Sequence, residues 1–197
     1  MKKIILLVDV QNGFVKNAYA EKVLYRIVDL LERDLFDVVI ASKYWNVKGS
    51  YLSRFMGWNE LCTPEEQALR PEIAQYPQYC VEKDGYSSMT EEMVSLLRDI
   101  NGGDLPEYVF ALGFDTECCV AMTATDMFEM GIRPLVLTRY SGSHDGDEYH
   151  NAGLVSMDHL IGPDFLIEDE LKTPEDVDRV LNRVMAQMEI YEEAARH

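Results

Sequence analysis

Residues 107–131, EYVFALGFDTECCVAMTATDMFEMG, join a continuous apolar run to a segment whose apolar residues recur at helical spacing. An apolar run without alternation is typical of a strand that is buried on both faces. A helix that follows such a strand is what a parallel crossover requires. This stretch therefore predicts a strand, a turn and a helix that ends at Gly131, as part of a parallel α/β sheet.

The rest of the chain alternates in the same way. Segments with helical periodicity, among them residues 20–33, 91–100 and 145–160, separate five more apolar runs, which are IILLVDV, DVVIASKY, YCVEK, PLVLTR and FLIE. We therefore predict an α/β fold, a three-layer αβα sandwich with a six-stranded, mainly parallel sheet. Residues 46–78 lack this regularity and indicate a long functional loop with one short helix.

The length of 197 residues suits a single domain over 1–197. Its last element is predicted as a helix over 174–195, with Thr173 as N-cap and Pro174 at the first helical position. An apolar stripe on this helix is expected to pack on the domain or on a second subunit. The stripe consists of Val177, Val180, Leu181, Val184, Met185 and Met188.

The charge balance excludes several classes of partner. Lys and Arg number 18 against 35 Asp and Glu, a formal net charge of −17. This charge repels phosphate backbones and anionic lipids, so we expect no nucleic-acid or membrane partner. No run reaches the ~18 apolar residues of a membrane span, and the start lacks the pattern of a secretory signal. The missing signal pattern leads us to expect a cytoplasmic protein, in which the four cysteines do not form a disulfide framework. Their spacing also differs from that of a structural zinc site.

Three reactive side chains stand where predicted strands end. Asp9 ends the first run, Lys83 ends YCVEK, and Cys119 follows EYVFALG at the start of the next helix. Ligands of parallel α/β sheets bind outside the carboxyl ends of the strands, so these three can serve together as base, cation and nucleophile. Structural roles also fit: a buried cysteine, a turn-forming aspartate, and a lysine on a central strand paired with some other carboxylate.

Thr116 is a good N-cap candidate and would place Cys119 in the first helical turn. Free backbone N–H groups and the helix dipole favour a thiolate there, and the same N–H groups can bind the oxyanion formed when sulfur attacks a carbonyl.

Three blocks of sequence resemble the isochorismatase-like cysteine hydrolases, a superfamily that includes nicotinamidases and N-carbamoylsarcosine amidase. They are LLVDVQNGF, VEKDGYSS and GFDTECCVAMTATDMFEMG, and the likeness spans roughly residues 3–168. It implies Asp9 as general base, Lys83 as the cation and Cys119 as nucleophile, with Cys118 as its inactive neighbour. It also implies a cis peptide bond between Phe114 and Asp115.

The implied reaction cleaves the C–N bond of a small-molecule amide through a thioester. Backbone N–H groups near Asp115 and Cys119 would bind the oxyanion. Members that resemble isochorismatase itself lack the cysteine, so Cys119 favours amide chemistry. The likeness further implies aromatic residues around a flat substrate, here Phe14, Trp45 and Tyr86, and a homo-oligomer. The alternatives are nicotinamidase activity proper, a catalytically silent binding protein, and a thiol-redox protein that uses both cysteines.

One departure concerns metal. Nicotinamidases carry a D-x-H metal motif after the second strand, whereas residues 44–46 here are Tyr, Trp and Asn. We therefore expect no metal and no cofactor. The four histidines lie elsewhere, and the first three are expected in surface or packing roles. They are His144, His150, His159 and His197.

Overall fold

A computed structural model describes residues 2–196, so Met1 and His197, which end the predicted domain, lie outside the described residues. Its centre is a six-stranded sheet in which every strand pair is parallel. The strands are β1 (Ile4–Val8), β2 (Val38–Tyr44), β3 (Tyr79–Lys83), β4 (Tyr108–Phe114), β5 (Arg133–Gly142) and β6 (Leu166–Ile167). The predicted α/β fold with six parallel strands is confirmed.

Helices flank this sheet and connect its strands. They are α1 (Ala18–Leu31), α2 (Tyr51–Met56), α3 (Pro64–Gln67), α4 (Glu91–Ile100), α5 (Ala121–Glu129), α6 (Asp147–Ile161) and α7 (Pro174–Ala194), with a π-helical turn over Thr116–Val120 and a 3₁₀ turn over Pro163–Phe165. Within residues 2–196, none of these helices combines the length and the apolar character that a membrane crossing requires.

The sheet order is β3-β2-β1-β4-β5-β6, so the direction of winding reverses between β1 and β4. Every residue of these two strands is buried, as their continuous apolar sequences predict. At such a reversal the connections leave to opposite sides and open a crevice at the carboxyl ends of the strands. The chain segments after β1 and β4 therefore meet at the natural binding site of this fold.

Helix α7 begins as the sequence predicts, because Thr173 and Asp176 form a reciprocal cap around Pro174. Val177, Val180 and Val184 lie in the same apolar core as the strands. Of the two expected partners for its apolar stripe, the helix therefore packs on its own chain.

The segment predicted as a loop over 46–78 contains two short helices, α2 and α3, where one was expected. Gln11, just after β1, holds it in place. The Gln11 side-chain amide donates to the carbonyls of Tyr44 at 2.8 Å and Gln67 at 2.7 Å, and its oxygen accepts from the Tyr44 N–H at 2.8 Å. The irregular segment is thus fixed to the carboxyl edge of the sheet.

We expect Gly113→Ala to destabilise the fold strongly. Gly113 has φ +128°, and a Cβ there would lie 2.0 Å from the carbonyl oxygen of Val8 on the neighbouring strand. The strained backbone and the overpacking together cost about 3–5 kcal/mol, measurable by urea unfolding. Gly103→Ala is the matched control, because φ is +115° but the space is open. Equal losses in the two variants would contradict the close approach of β1 and β4.

Candidate active site

Asp9 and Lys83 form a buried ion pair at the carboxyl edge of the sheet. Lys83 Nζ lies 2.7 Å from Asp9 Oδ2, and the two side chains are 1% and 0% exposed. The ammonium also donates to the carbonyls of Gly85 at 3.1 Å and Tyr86 at 2.6 Å. The buried ammonium is thus compensated by one ion pair and two hydrogen bonds.

Lys83 ends an edge strand, β3, and not the central strand expected from the sequence. The YCVEK run predicts a buried strand, but Tyr79, Cys80 and Glu82 are exposed because β3 has a neighbouring strand on one side only. The ammonium is buried nonetheless, because the Lys83 side chain reaches across the end of β2 to Asp9 at the end of β1.

A chain of hydroxyl groups supports Asp9 from the side away from Lys83. Ser42 Oγ donates to Asp9 Oδ1 at 2.7 Å, and Ser88 Oγ donates to Ser42 Oγ at 2.9 Å. The Ser88 N–H in turn donates to Thr123 Oγ1 at 2.9 Å. All four residues are fully buried. The sequence analysis missed these hydroxyls; the one available signal was a serine within the apolar run of β2.

Cys119 lies in the π-helical turn between β4 and α5. Asp115, and not Thr116 as expected, occupies the N-cap position, and its side chain makes no cap hydrogen bond. Thr116 instead has its hydroxyl 2.7 Å from His150 Nδ1, which fixes the start of the turn against α6. His150 thus has the packing role expected for it. The exposed fraction of Cys119 is only 4%, yet it lines a cavity.

The environment of Cys119 favours a neutral thiol at rest. Burial, followed by the Asp9 carboxylate, raises the pKa of the Cys119 thiol well above its usual value, although Lys83 lowers it. Burial also lowers the pKa of Lys83, but the charge of Asp9 is the largest opposing effect and the pKa is raised overall, so the ammonium persists. Desolvation thus opposes the thiolate expected at the helix start, whereas the Lys83 cation favours it.

Cys118 lines the same cavity but has different neighbours. Burial and the nearby Glu117 and Asp115 carboxylates raise the pKa of Cys118 to about 12. Hydrogen bonding with Asp9 contributes at Cys119 but not at Cys118. Asp9 therefore acts more directly on the thiol of Cys119 than on that of Cys118.

The backbone around Cys119 has the implied cis peptide bond between Phe114 and Asp115. The Asp115 carbonyl accepts from the N–H of Cys118 at 3.1 Å and from the N–H of Val120 at 3.0 Å. These bonds hold the residues on both sides of Cys119 in the turn.

The cavity beside Cys119 has a volume of about 280 Å³. Phe14 and Tyr86 line it, as two of the three predicted aromatic residues, but Trp45 does not. Successive residues at a strand end point to opposite sides, and here Tyr44 enters the cavity in place of Trp45. The other lining residues are Leu52, Met56, Trp58, Asp115, Glu117, Cys118, His144, Asp145 and Tyr149.

His144 lines this cavity, although a surface or packing role was expected for it. Its Nδ1 lies 2.6 Å from Asp115 Oδ2, and its backbone N–H donates to Asp115 Oδ1 at 2.8 Å. The hydrogen bond to Asp115 raises the pKa of His144. Strand β5 runs to Gly142, three residues beyond the predicted PLVLTR run, and this extension carries His144 to the carboxyl edge.

No set of three or more His, Cys, Asp or Glu side chains within residues 2–196 is arranged to hold a metal ion. At the place of the D-x-H motif, the Tyr44 ring faces the cavity, and Asn46 donates from Nδ2 to the Glu60 carbonyl at 3.0 Å. These residues do not fit a metal site of the nicotinamidase kind.

Solved structures share this fold. An isochorismatase-like hydrolase from Alkaliphilus metalliredigens matches with a TM-score of 0.68 at 22% identity, over 81% of this chain and 92% of that one. Nicotinamidase PncA from Bacillus subtilis matches with a TM-score of 0.64 at 20% identity, over 82% and 97%. N-carbamoylsarcosine amidase from Thermoplasma acidophilum matches with 0.65 at 19%, over 80% and 93%. No curated protein shows a significant match.

The family model for the isochorismatase domain matches residues 3–164. That span runs from β1 to the 3₁₀ turn before β6 and contains Asp9, Lys83 and Cys119. With most of its length covered, the chain belongs to the isochorismatase family of hydrolases.

Proposed function

We propose that this chain is a cysteine hydrolase that cleaves the C–N bond of a small amide through a thioester. One observation carries the proposal: a cavity-lining thiol adjoins a buried ion pair in which Lys83 Nζ and Asp9 Oδ2 are 2.7 Å apart. Such an arrangement supplies a nucleophile, a proton acceptor and a fixed cation within one small space.

In the first half-reaction, Asp9 accepts the thiol proton as Cys119 Sγ attacks the amide carbonyl carbon. The N–H groups of Asp115 and Cys119 bind the resulting oxyanion. The C–N bond then breaks, Asp9 returns the proton to the departing nitrogen, and ammonia or an amine leaves a thioester on Cys119. Lys83 stays charged and stabilises the anions in turn.

In the second half-reaction, Asp9 accepts a proton from water, and the hydroxide formed attacks the thioester carbonyl carbon. The C–S bond breaks, the carboxylic acid leaves, and the proton on Asp9 returns to sulfur. Phe14 and Tyr86, with Tyr44 and Trp58, hold a flat substrate in the cavity. Trp45 has no part in this binding, because it lies outside the cavity lining.

We propose further that residues 1–197 act as one domain and that the reaction needs neither metal nor cofactor. Free cysteines at four positions, one of them the nucleophile, suit a reducing compartment such as the cytoplasm.

Replacement of the two cysteines separates the nucleophile from its neighbour. We expect Cys119→Ala to lower kcat/KM for a hydrolysed amide by about a thousandfold or more. Cys118→Ser should keep most activity, and both variants should keep the far-ultraviolet circular dichroism of the parent. Hydroxylamine added during turnover should release a hydroxamate from the parent and from Cys118→Ser but not from Cys119→Ala, because it intercepts the thioester on Cys119. Equal losses in both variants would exclude Cys119 as the sole nucleophile.

Removal of metal provides a second test. We expect incubation with a strong chelator, followed by desalting, to leave amidase activity unchanged, because residues 44–46 offer no D-x-H ligands. Loss of activity that zinc or iron restores would show that metal independence is wrong, even if Cys119 remained essential.

We also propose a homo-oligomer, because apolar side chains near the cavity mouth are exposed. Val47, Tyr51, Phe55 and Met56 are 50%, 45%, 75% and 69% exposed. Size-exclusion chromatography with light scattering should give a multiple of the chain mass, reduced to one chain by Phe55→Asp. Tyr25→Asp, at a 63% exposed position on α1, should leave the mass unchanged. A monomeric parent protein would contradict the proposal.

A further inference from the structure

The cavity wall around the two adjacent cysteines is mostly apolar, and carboxyl groups predominate among its ionisable side chains. Three carboxyl side chains line it, on Asp115, Glu117 and Asp145, and no lysine or arginine is among the lining residues that the structure describes. His144 opposes them, 2.6 Å from Asp115. If Asp115 and His144 are taken as one ion pair, the carboxyl groups of Glu117 and Asp145 remain on the wall.

Lys83 does not offset this charge for a ligand. Its side chain is 1% exposed, and its hydrogens are engaged by Asp9 and by the carbonyls of Gly85 and Tyr86. A carboxylate entering the cavity would therefore lose its hydration beside like charges, and the imidazole of His144, the remaining basic group on the described wall, is already paired with Asp115, so entry is unfavourable.

The remaining wall favours flat and electron-poor groups. Phe14, Tyr44, Trp58 and Tyr86 present aromatic rings to a volume of about 280 Å³. This volume is close to the lower end of the range for small-molecule sites and suits a single substituted ring. Aromatic faces attract apolar surface and cations alike, because the negative part of the ring quadrupole lies on the face.

Asp145 differs from the other two acids because its carboxylate accepts no hydrogen bond from the described residues and has only a longer ion-pair contact. Asp115 is held by His144, and Glu117 Oε1 accepts from Ser143 Oγ at 2.7 Å. The Asp145 side chain is 54% exposed, and its Oδ1 lies 3.6 Å from His144 Nε2, beyond hydrogen-bonding distance. A cationic substituent that enters past the mouth can reach Asp145 without breaking a hydrogen bond, and it competes only with the 3.6 Å contact to His144.

We infer, on the basis of the proposed function, that the substrate is a neutral or cationic amide carried on one flat ring, that amides bearing a carboxylate are rejected, and that Asp145 sets the preference for a cation. Asp145 thus determines specificity and takes no part in the bond-breaking steps.

Three planar isosteres that differ in charge test this inference: 3-carbamoylbenzamidine, isophthalamide and 3-carbamoylbenzoate. Calorimetric titration of the Cys119→Ala variant measures their binding without turnover. We expect the carboxylate to bind about tenfold or more weakly than the neutral amide, and the amidine at least as tightly as the neutral amide. The differences in affinity among the three ligands should become smaller as salt is added, because salt screens the charges. Binding of the carboxylate as tight as that of the neutral amide would overturn the inference.

A matched pair of variants tests the role of Asp145. In the Cys119→Ala background, Asp145→Asn should lower the affinity ratio of amidine to neutral amide by about threefold to tenfold. Asp99→Asn makes the same charge change at an exposed position near the end of α4. Helix α4 ends before β4 begins, so this position is on the side of the amino ends of the strands, and the affinity ratio should be unaltered. If the affinity ratio of amidine to neutral amide is the same in both variants, Asp145 does not determine the preference for a cation.

Turnover of the three isosteres by the parent protein is scored separately. If the three ligands bind with the expected order of affinities but none is hydrolysed, the proposed function is contradicted and the charge preference is still supported. Hydrolysis with the carboxylate preferred would contradict the charge preference alone.

Discussion

The ion pair between Asp9 and Lys83 is the constraint on which the site depends. Two charges placed out of water carry a desolvation cost of several kcal/mol each, which only close geometry and further hydrogen bonds can offset. Here the 2.7 Å contact, two carbonyls on the ammonium and one serine hydroxyl on the carboxylate provide that compensation. Everything around the pair, including the thiol, must therefore be placed accurately.

The sheet topology explains how distant parts of the chain meet this requirement. Asp9 and Cys119 follow the two strands at which the winding reverses, and the hydroxyl chain from Ser42 through Ser88 to Thr123 connects β2, the segment after β3 and α5. The site thus combines an ammonium, a carboxylate with one oxygen held by Ser42 and a thiol whose pKa is raised by burial. In the proposed reaction, proton transfer from sulfur to Asp9 therefore accompanies attack on the carbonyl carbon.

Much of this arrangement could be predicted from sequence, because buried parallel strands have continuous apolar runs and their ends mark one edge of the sheet. That logic located Asp9, Lys83 and Cys119 before any contact was known. It could not give the strand order, so Lys83 was assigned to a central strand. It also failed where side chains from irregular segments enter the cavity: Trp58 and Tyr44 occupy the region expected for Trp45, and His144 depends on where β5 ends.

The position of Lys83 on an edge strand links the site to the most exposed part of the sheet. Strand β3 pairs with β2 alone, through five residue pairs, and Tyr79, Cys80 and Glu82 face outward. Edge elements open locally more readily than the core around them. Since the Lys83 ammonium is attached to this strand, fraying of β3 would withdraw the cation and leave Asp9 charged and alone in the interior. Local opening of β3 therefore has an additional electrostatic cost in free energy, because it would separate the buried ion pair. This cost stabilises the edge strand in its paired position.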